Sequence, residues 1–374
     1  MIADRTDADQ SNLARGDART APGARPVSII VPVRDPSPAF RACLESVGRL
    51  DPPCEDLVVV VDGGSEEAAG TAEAAGARVI RLVTPRGPAA ARNAGAREAR
   101  GDVLCFLDSD VTVPPDLLAR VQRVFASDPG LDAVIGSYDE APVAPNFLSQ
   151  YKNLAHHFVH QTSRADTSSF WSGCGAIRRA SFDRAGGFDE RFRRPSVEDI
   201  ELGSRLRAAG CRVRLEKTLQ VTHLKRWTPL SLLVTEIRDR AIPWTELILR
   251  TGAMPNELNL RWKGRAAVAT AGLLALAVAT APWLAASRLA AVILAATLIL
   301  IDLDLYRFLR ARRGTVFAIR AAFAHWVHYL CSAIGFCIGV LRHVIGVQPP
   351  EAAQAPAPAP APAPSPHRAG ADRR

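Results

Sequence analysis

Four short apolar runs, each rich in β-branched residues, fix what the first third of this chain can become. "PVSIIVPV" (26–33) carries a proline near each end, and "EDLVVVVDGGS" (55–65) closes in Asp62 and a glycine turn. "ARVIRLV" (77–83) follows, and "DVLCFLDSD" (102–110) ends in two aspartates. Between the runs lie a segment around 38–49, the small "EEAAGTAEAAG" and the alanine-rich "GPAAARNAGAREARG" (87–101), all read as helices. Runs of this length and composition are buried strands. Strands alternating with helices make an α/β architecture, a Rossmann-like, mostly parallel sheet with helices on both faces. Ligands of such sheets sit beyond the carboxyl ends of the strands. Asp62 and the pair Asp108 and Asp110 all stand at such ends, so they converge on one crevice.

The spacing of that pair carries chemistry. Side chains two apart on a strand point the same way, and two like charges on one face repel unless something positive lies between them. A divalent metal that also holds a phosphate-bearing substrate meets the need. The pattern recurs at Asp7-Ala-Asp9 and Asp302-Leu-Asp304, neither of which ends a predicted buried strand. A dinucleotide-binding domain needs G-x-G-x-x-G after its first strand; here that strand runs into "VPVRDPSP", so hydride transfer is not expected. The net charge is +8, but the arginines are scattered and form no compact cluster with interleaved aromatics. Nucleic acid is therefore not expected as a partner. The seven cysteines include no C-x-x-C pair, which suits reduced core residues in a cytosolic setting.

The character changes near residue 266. "AAVATAGLLALAVATAPWLAA" (266–286) is uncharged and long enough to span a bilayer. "LAAVILAATLILIDLDLY" (289–306) reads as a second span, and "AAFAHWVHYLCSAIGFCIGVL" (321–341) as a third candidate. Arg320, His325 and His328 make the third costly in lipid unless they face other helices; otherwise it lies in the interface. Lys263 and Arg265 precede the first span, Arg307, Arg310, Arg312 and Arg313 follow the second, and only Arg288 lies between. That asymmetry predicts a multi-pass protein of the inner or plasma membrane, with both flanks and the catalytic domain in the cytoplasm. "SLLVTEIRDRAIPWTELILR" (231–250) reads as an amphipathic helix broken at Pro243, lying against membrane lipids. The expected organisation is a polar, disordered 1–25 without a signal-peptide h-region, a catalytic domain over 26–227 and an interfacial segment over 228–262. Membrane helices over 263–346 and a disordered Pro/Ala-rich tail over 347–374 complete it.

Five motifs occur in order: "VSIIVPVRD", "VVVVDGGS", "GPAAARNAGAREARGDVLCFLDSD", "WSGCGAIRRASFDRAGGFDERF" and "VEDIELGSRLRAAG". Over roughly 26–227 the chain resembles the family 2 inverting glycosyltransferases of GT-A fold. Transfer from a nucleotide sugar needs a stabilised diphosphate, a proton acceptor for the incoming hydroxyl, and exclusion of water. A metal at Asp108-Ser109-Asp110 neutralises the leaving group, and a carboxylate on the opposite wall serves as base. The resemblance implies a divalent cofactor, Mg2+ or Mn2+, with Asp110 as direct ligand and Asp108 toward the nucleoside or sugar. It places Asp62 at the base and Arg92 on the nucleotide side. It makes Asp199 the general base, with Glu198 positioning acceptor or donor sugar. The opposing local reading of Glu198-Asp199 is charge that complements a helix dipole. Pro32 and Val33, at the end of the first strand, join the substrate-binding set, and the Gly173 backbone is placed to approach the sugar.

His223, Arg226 and Trp227 are similar in spacing to the Q-x-x-R-W element of membrane-embedded processive synthases, with His in place of Gln. There the arginine touches the diphosphate and the tryptophan borders the acceptor; His223 closes the expected metal set. Gly63 stands where the family commonly has a second aspartate. The implied function is a membrane-anchored transfer of sugar from a nucleotide-sugar donor to a lipid-linked or membrane-proximal hydroxyl, in cell-envelope glycan or glycolipid synthesis. The rivals are a catalytically silent nucleotide-sugar-binding membrane scaffold and a nucleotidyltransferase.

Overall fold

A computed structural model describes residues 26–64, 66–252, 254, 256–258 and 261–347. The expected disordered segments 1–25 and 347–374 lie outside the described residues, Val347 excepted. The chain begins β1 (Val27–Val33), α1 (Pro38–Val47), β2 (Asp56–Asp62), α2 (Glu66–Ala74), β3 (Arg78–Leu82), α3 (Pro88–Glu98) and β4 (Val103–Leu107). These four strands are parallel in the order β3-β2-β1-β4, as the alternation requires. β1, β2 and β4 are buried on both faces, which is why they read as unbroken apolar runs. Ser37 starts α1 by accepting a hydrogen bond from Phe40 N at 3.1 Å, with Pro38 preset for the first turn.

The other half of the sheet is mixed. It comprises β5 (Val111–Thr112), α4 (Leu117–Ser127), β6 (Ala133–Tyr138), α5 (Phe147–Thr162), β7 (Asp166–Thr167), β8 (Cys174–Arg178), α6 (Arg179–Arg184), α7 (Glu198–Ala208) and β9 (Val213–His223). β8 runs antiparallel between β4 and β6, β6 is parallel to β9, and β5 and β7 are antiparallel to β9. The mostly parallel arrangement thus holds for β1–β4 and gives way beyond β4. Antiparallel β8 pairs Cys174 with Leu107 and so brings the start of "WSGCG" beside the aspartates.

The segment after β9 forms α8 (Pro229–Val234), a π-helix (Thr235–Ala241) and α9 (Ile242–Thr251). The interruption expected at Pro243 is taken by the π-helix, and Pro243 sits harmlessly in the first turn of α9. α10 (Trp262–Thr280) and α11 (Ala285–Ile301) form a hairpin, followed by α12 (Leu303–Arg313) and α13 (Thr315–Val344). α10 and α13 are each long and apolar enough to cross a membrane, and α11 with α12 makes a further candidate bent by 67°. The expected second span over 289–306 therefore breaks at Asp302, whose carboxylate accepts from Tyr329 at 3.0 Å. α12 leaves the hairpin and docks on the sheet-bearing domain through Arg312 to Glu140 at 2.5 Å and Arg313 to Gln150 at 3.0 Å. α10 starts near the same domain, with Arg261 donating to the Thr162 carbonyl at 3.5 Å. Nineteen residues of α10 rise about 28 Å, so the turn at 281–284 lies far from the domain on which both ends sit.

α13 differs from the hairpin. Its charged residues meet partners from outside the hairpin: Arg320 lies 4.3 Å over the Phe147 ring, His325 is 2.5 Å from the Tyr151 hydroxyl, and His328 is 2.8 Å from Glu236. Arg342 is 3.0 Å from Glu246. Gly335 and Gly339 pack directly against Ala241 and Thr245; a Cβ at 339 would come 2.7 Å from Thr245 Cβ. Small residues four apart permit this backbone approach. The cost foreseen for the third span is thus met by partners on neighbouring helices, while Val316, Ile319 and Phe323 stay exposed.

Candidate functional site

The carboxyl ends of β1, β2 and β4 open into a crevice of about 480 Å³, closed on its far side by α7, α5 and the π-helix. Its lining includes Pro32, Val33, Asp62, Arg92, Asp108, Ser109 and Asp110, and opposite them Glu198, Asp199, His223 and Trp227. Two expected residues are not on it: Gly173, whose position is crowded by the Trp171 ring, and Arg226, which is exposed. Lys225, stacked 4.2 Å over Trp227, and Ser172 line the crevice beside them. A larger cavity of about 710 Å³ adjoins past Ser169, Ile200, Trp244 and Leu258; it holds none of the expected site residues.

Arg92 ties the two walls together. It donates to Asp108 at 2.7 Å and to Glu198 at 2.9 Å, with its side chain only 5% exposed. α3 carries it to this point beneath the carboxyl ends of β1 and β4. Sequence reasoning assigned Arg92 and Asp108 separately to the donor; the structure joins them to each other. Asp62 accepts from the amides of Arg86 and Gly87 at 2.6 and 2.7 Å, so it fixes the loop that starts α3. Gly63 adopts φ +64°, and a Cβ there would lie 2.5 Å from the Pro85 ring. An aspartate is excluded at this position by backbone and space together.

Asp110 faces His223 at 3.6 Å, because β5 pairs antiparallel with β9 and sets Val111 opposite His223. His223 is stacked at 4.2 Å on Tyr138. Burial alone would raise the Asp110 pKa, but His223 and Lys225 outweigh it and hold the carboxyl below its ordinary range. Among the described residues no three His, Cys, Asp or Glu side chains are gathered to hold a metal by themselves. Asp108 is engaged with Arg92, which leaves Asp110, with His223 beside it, as the donor set. One carboxylate and an imidazole suit a divalent ion that draws its remaining ligands from water and a bound diphosphate.

On the opposite wall Glu198 and Asp199 open α7. Glu198 is buried, accepting from Arg92 and from Ser196 N at 2.7 Å. Asp199 accepts from Ser172 N at 3.2 Å and from Ile200 N at 2.8 Å. Burial, then the neighbouring Glu198 charge, raises the Asp199 pKa to about 7 despite Arg92. A carboxylate tuned to that value is suited to accept a proton near neutrality.

Sequence reasoning missed the third side of the crevice. Lys152, His156 and His160 project from α5 at i, i+4 and i+8, a helical-face signal that was there to be used. His156 and His160 pack with Tyr138 and Trp171. Burial lowers both histidines, helped by His160 beside His156, and brings His160 to about 4 despite its hydrogen bond to the Gly136 carbonyl, so both are neutral. Arg240 and Trp244 reach the same side from the π-helix and α9.

A family model described as glycosyl transferase family 2 matches residues 28–186, and one described as the N-terminal domain of galactosyltransferase matches residues 152–226. The pre-mycofactocin glycosyltransferase of Mycobacterium tuberculosis is 31% identical over 231 residues, covering 59% of this chain and 45% of that protein. The O-antigen biosynthesis protein RfbC of Myxococcus xanthus is 28% identical over 222 residues, covering 54% of this chain and 17% of that protein. The chain therefore spans less than half the length of these relatives. Among solved structures, the mannosyltransferase PcManGT of Pyrobaculum calidifontis, in complex with GDP-Man and Mn2+, superposes with a TM-score of 0.54 at 17% identity. That match covers 87% of this chain and 88% of the other, and is a likeness of fold.

Proposed function

We propose, from the premise that residues 28–186 form a glycosyl transferase family 2 domain of GT-A fold, that this protein moves a sugar from a nucleotide-sugar donor to a hydroxyl acceptor at a membrane surface, with inversion. The observation that carries the reading is the Arg92 strut, which holds the donor-side Asp108 and the acceptor-side Glu198 across one crevice, with Asp199 next to Glu198.

Asp199 takes the proton of the incoming hydroxyl. Its pKa of about 7 keeps a working fraction ionised, and its hydrogen bonds to Ser172 and Ile200 fix the carboxylate's direction. Glu198, immobilised by Arg92, positions the acceptor or the sugar rather than competing for that proton. Asp62 holds the Arg86-Gly87 amides at the start of α3 on the donor side, and Ser109, Pro32 and Val33 line the same wall. Asp110, with His223 beside it, would hold a divalent cation, Mg2+ or Mn2+, which when bound offsets the charge on the diphosphate. Trp227, buried at the end of the crevice, borders the acceptor.

The acceptor is lipid-linked or membrane-proximal, in the synthesis of envelope glycan or glycolipid. Support comes from the π-helix and α9, which line the crevice on the acceptor side and are packed against α13. The catalytic domain faces the cytoplasm, where nucleotide sugars are made; the arginines of α12 sit on its side of the hairpin. Labelling of a cysteine placed at 307–314 only from outside intact cells contradicts that orientation. The test of the activity is release of nucleoside diphosphate by the full chain in neutral detergent with Mg2+ or Mn2+, across a panel of nucleotide sugars. One donor class is expected to turn over. Release of pyrophosphate from a nucleoside triphosphate instead identifies a nucleotidyltransferase, and binding without turnover identifies a silent scaffold.

A further inference from the structure

The acceptor wall carries charge for which the donor chemistry has no use. Lys152 on α5 and Arg240 on the π-helix both line the crevice. Glu236 lies between them, 4% exposed, 2.5 Å from Lys152 Nζ and 3.9 Å from Arg240 Nη1. Its second oxygen is 2.8 Å from His328 Nδ1 of α13. One carboxylate against two basic side chains leaves positive charge in excess. Burial, and beyond the opposing pull of Glu236 the nearness of Arg240, hold the Lys152 ammonium below its ordinary value. An arriving anion relieves that repulsion.

Three further observations bear on what the site takes. Tyr138, between His223 and Trp171, lies within electrostatic reach of Arg240, Asp110 and Asp199 alike, so Arg240 stands beside the chemistry. His156, one turn along α5 from Lys152, has a buried Nδ1 with no hydrogen-bond partner among the described residues. The wall is also backed by α13, whose outer face exposes Ile319, Phe323 and Ile334. A helix is about 10 Å across, so the cations sit roughly one helix diameter from a surface fit for acyl chains. Arginine with lysine is a phosphate-binding pair, the first by its fork and the second as a point charge. The π-helix that presents Arg240 is a rare element, found mostly at functional sites.

We propose that Lys152 and Arg240 form an anion subsite on the acceptor wall that receives the phosphate group of an amphiphilic acceptor. This rests on the glycosyltransferase reading, which makes this the acceptor's wall. The headgroup phosphate enters between the two cations, with its hydrocarbon chain running along the α13 side.

The test uses the full chain in neutral detergent and three probes, dodecyl phosphate, dodecanol and inorganic phosphate, titrated calorimetrically. Dodecyl phosphate is expected to bind at least about tenfold more tightly than either of the others. Arg240→Gln, at a side chain 41% exposed and so tolerant of change, is expected to weaken it about tenfold. The double variant Lys152→Gln/Glu236→Gln removes the buried pair as a unit and is expected to weaken it similarly. In both variants, affinity for the nucleotide sugar selected by the donor panel stays within about twofold. Equal dodecyl phosphate affinity in wild type and Arg240→Gln overturns the subsite. Inorganic phosphate binding as tightly as dodecyl phosphate overturns the amphiphile. Failure of the wild type to bind any nucleotide sugar strikes the glycosyltransferase reading instead, and is visible separately in the same titrations.

Discussion

The donor wall hangs from parallel strands: β1, β2 and β4 end together, and Asp62 and Asp108 stand at or just beyond their last residues. The acceptor wall hangs from helices that come from three distant parts of the chain, α5, the π-helix with α9, and α7, with α13 pressed behind. A sheet edge is rigid because each strand is held on both sides along its length. A wall of helices is held by side-chain contacts alone, here two small-residue contacts and a few buried ion pairs. The proposed donor side is thus set by backbone pairing, and the proposed acceptor side by packing that α13 completes. Arg92 joins the two through Asp108 and Glu198.

Breaking that shared residue has the largest expected effect. Arg92→Met strands Asp108 and Glu198 without their counter-charge, which costs about 3–5 kcal/mol of stability. Donor affinity and turnover are expected to fall together. Denaturant unfolding and donor titration check it, and loss of one function with the other intact contradicts a shared strut. Gly335→Leu acts on the acceptor wall alone. The added side chain collides with Ala241, an overpacking cost of about 1–3 kcal/mol. Thermal unfolding in detergent is expected to show the loss, while donor affinity is unchanged; equal stability contradicts the close α13 contact.

The same contrast decides how much could be read from the sequence. The runs at 26–33, 55–65 and 102–110 fall on β1, β2 and β4, because strands buried on both faces must be apolar throughout, and the run at 77–83 falls on β3 at the end of the sheet. Asp108 and Asp110 were legible because they follow the end of such a strand, Glu198 and Asp199 because they open a helix within a recognisable motif, and all four line the crevice. β5 and β7, two residues each, have no pattern to read. Lys152 and His156 escaped because α5 was not read as a helix, and the Glu236 that joins Lys152 to Arg240 lies in a distant part of the chain from Lys152. Arg226 was carried by motif spacing, yet strand alternation at the end of β9 brings Lys225 and Trp227 to the crevice. The break at Asp302 was hidden because hydropathy runs on to Tyr306, while the turn is fixed by a hydrogen bond from Tyr329.

The smallest expected effect is on pH. Asp199 has a raised pKa, so its basic form is lost as pH falls through about 7. Turnover is expected to climb through that value while donor affinity stays flat, since Asp110 is held low and remains ionised there. A flat turnover profile from pH 6 to 8 contradicts the assignment of the base.

The most direct measurement pairs Asp199→Asn with Asp110→Asn, titrating the nucleotide sugar with metal present and following turnover on the same samples. Asn keeps the shape of each side chain and removes its charge. Asp199→Asn is expected to abolish turnover with donor affinity nearly unchanged, because its carboxylate acts on the acceptor only as the proton moves. Asp110→Asn is expected to weaken donor binding itself. Near-normal turnover in Asp199→Asn, or loss of donor binding as severe as in Asp110→Asn, contradicts the division of the crevice into a donor wall and an acceptor wall.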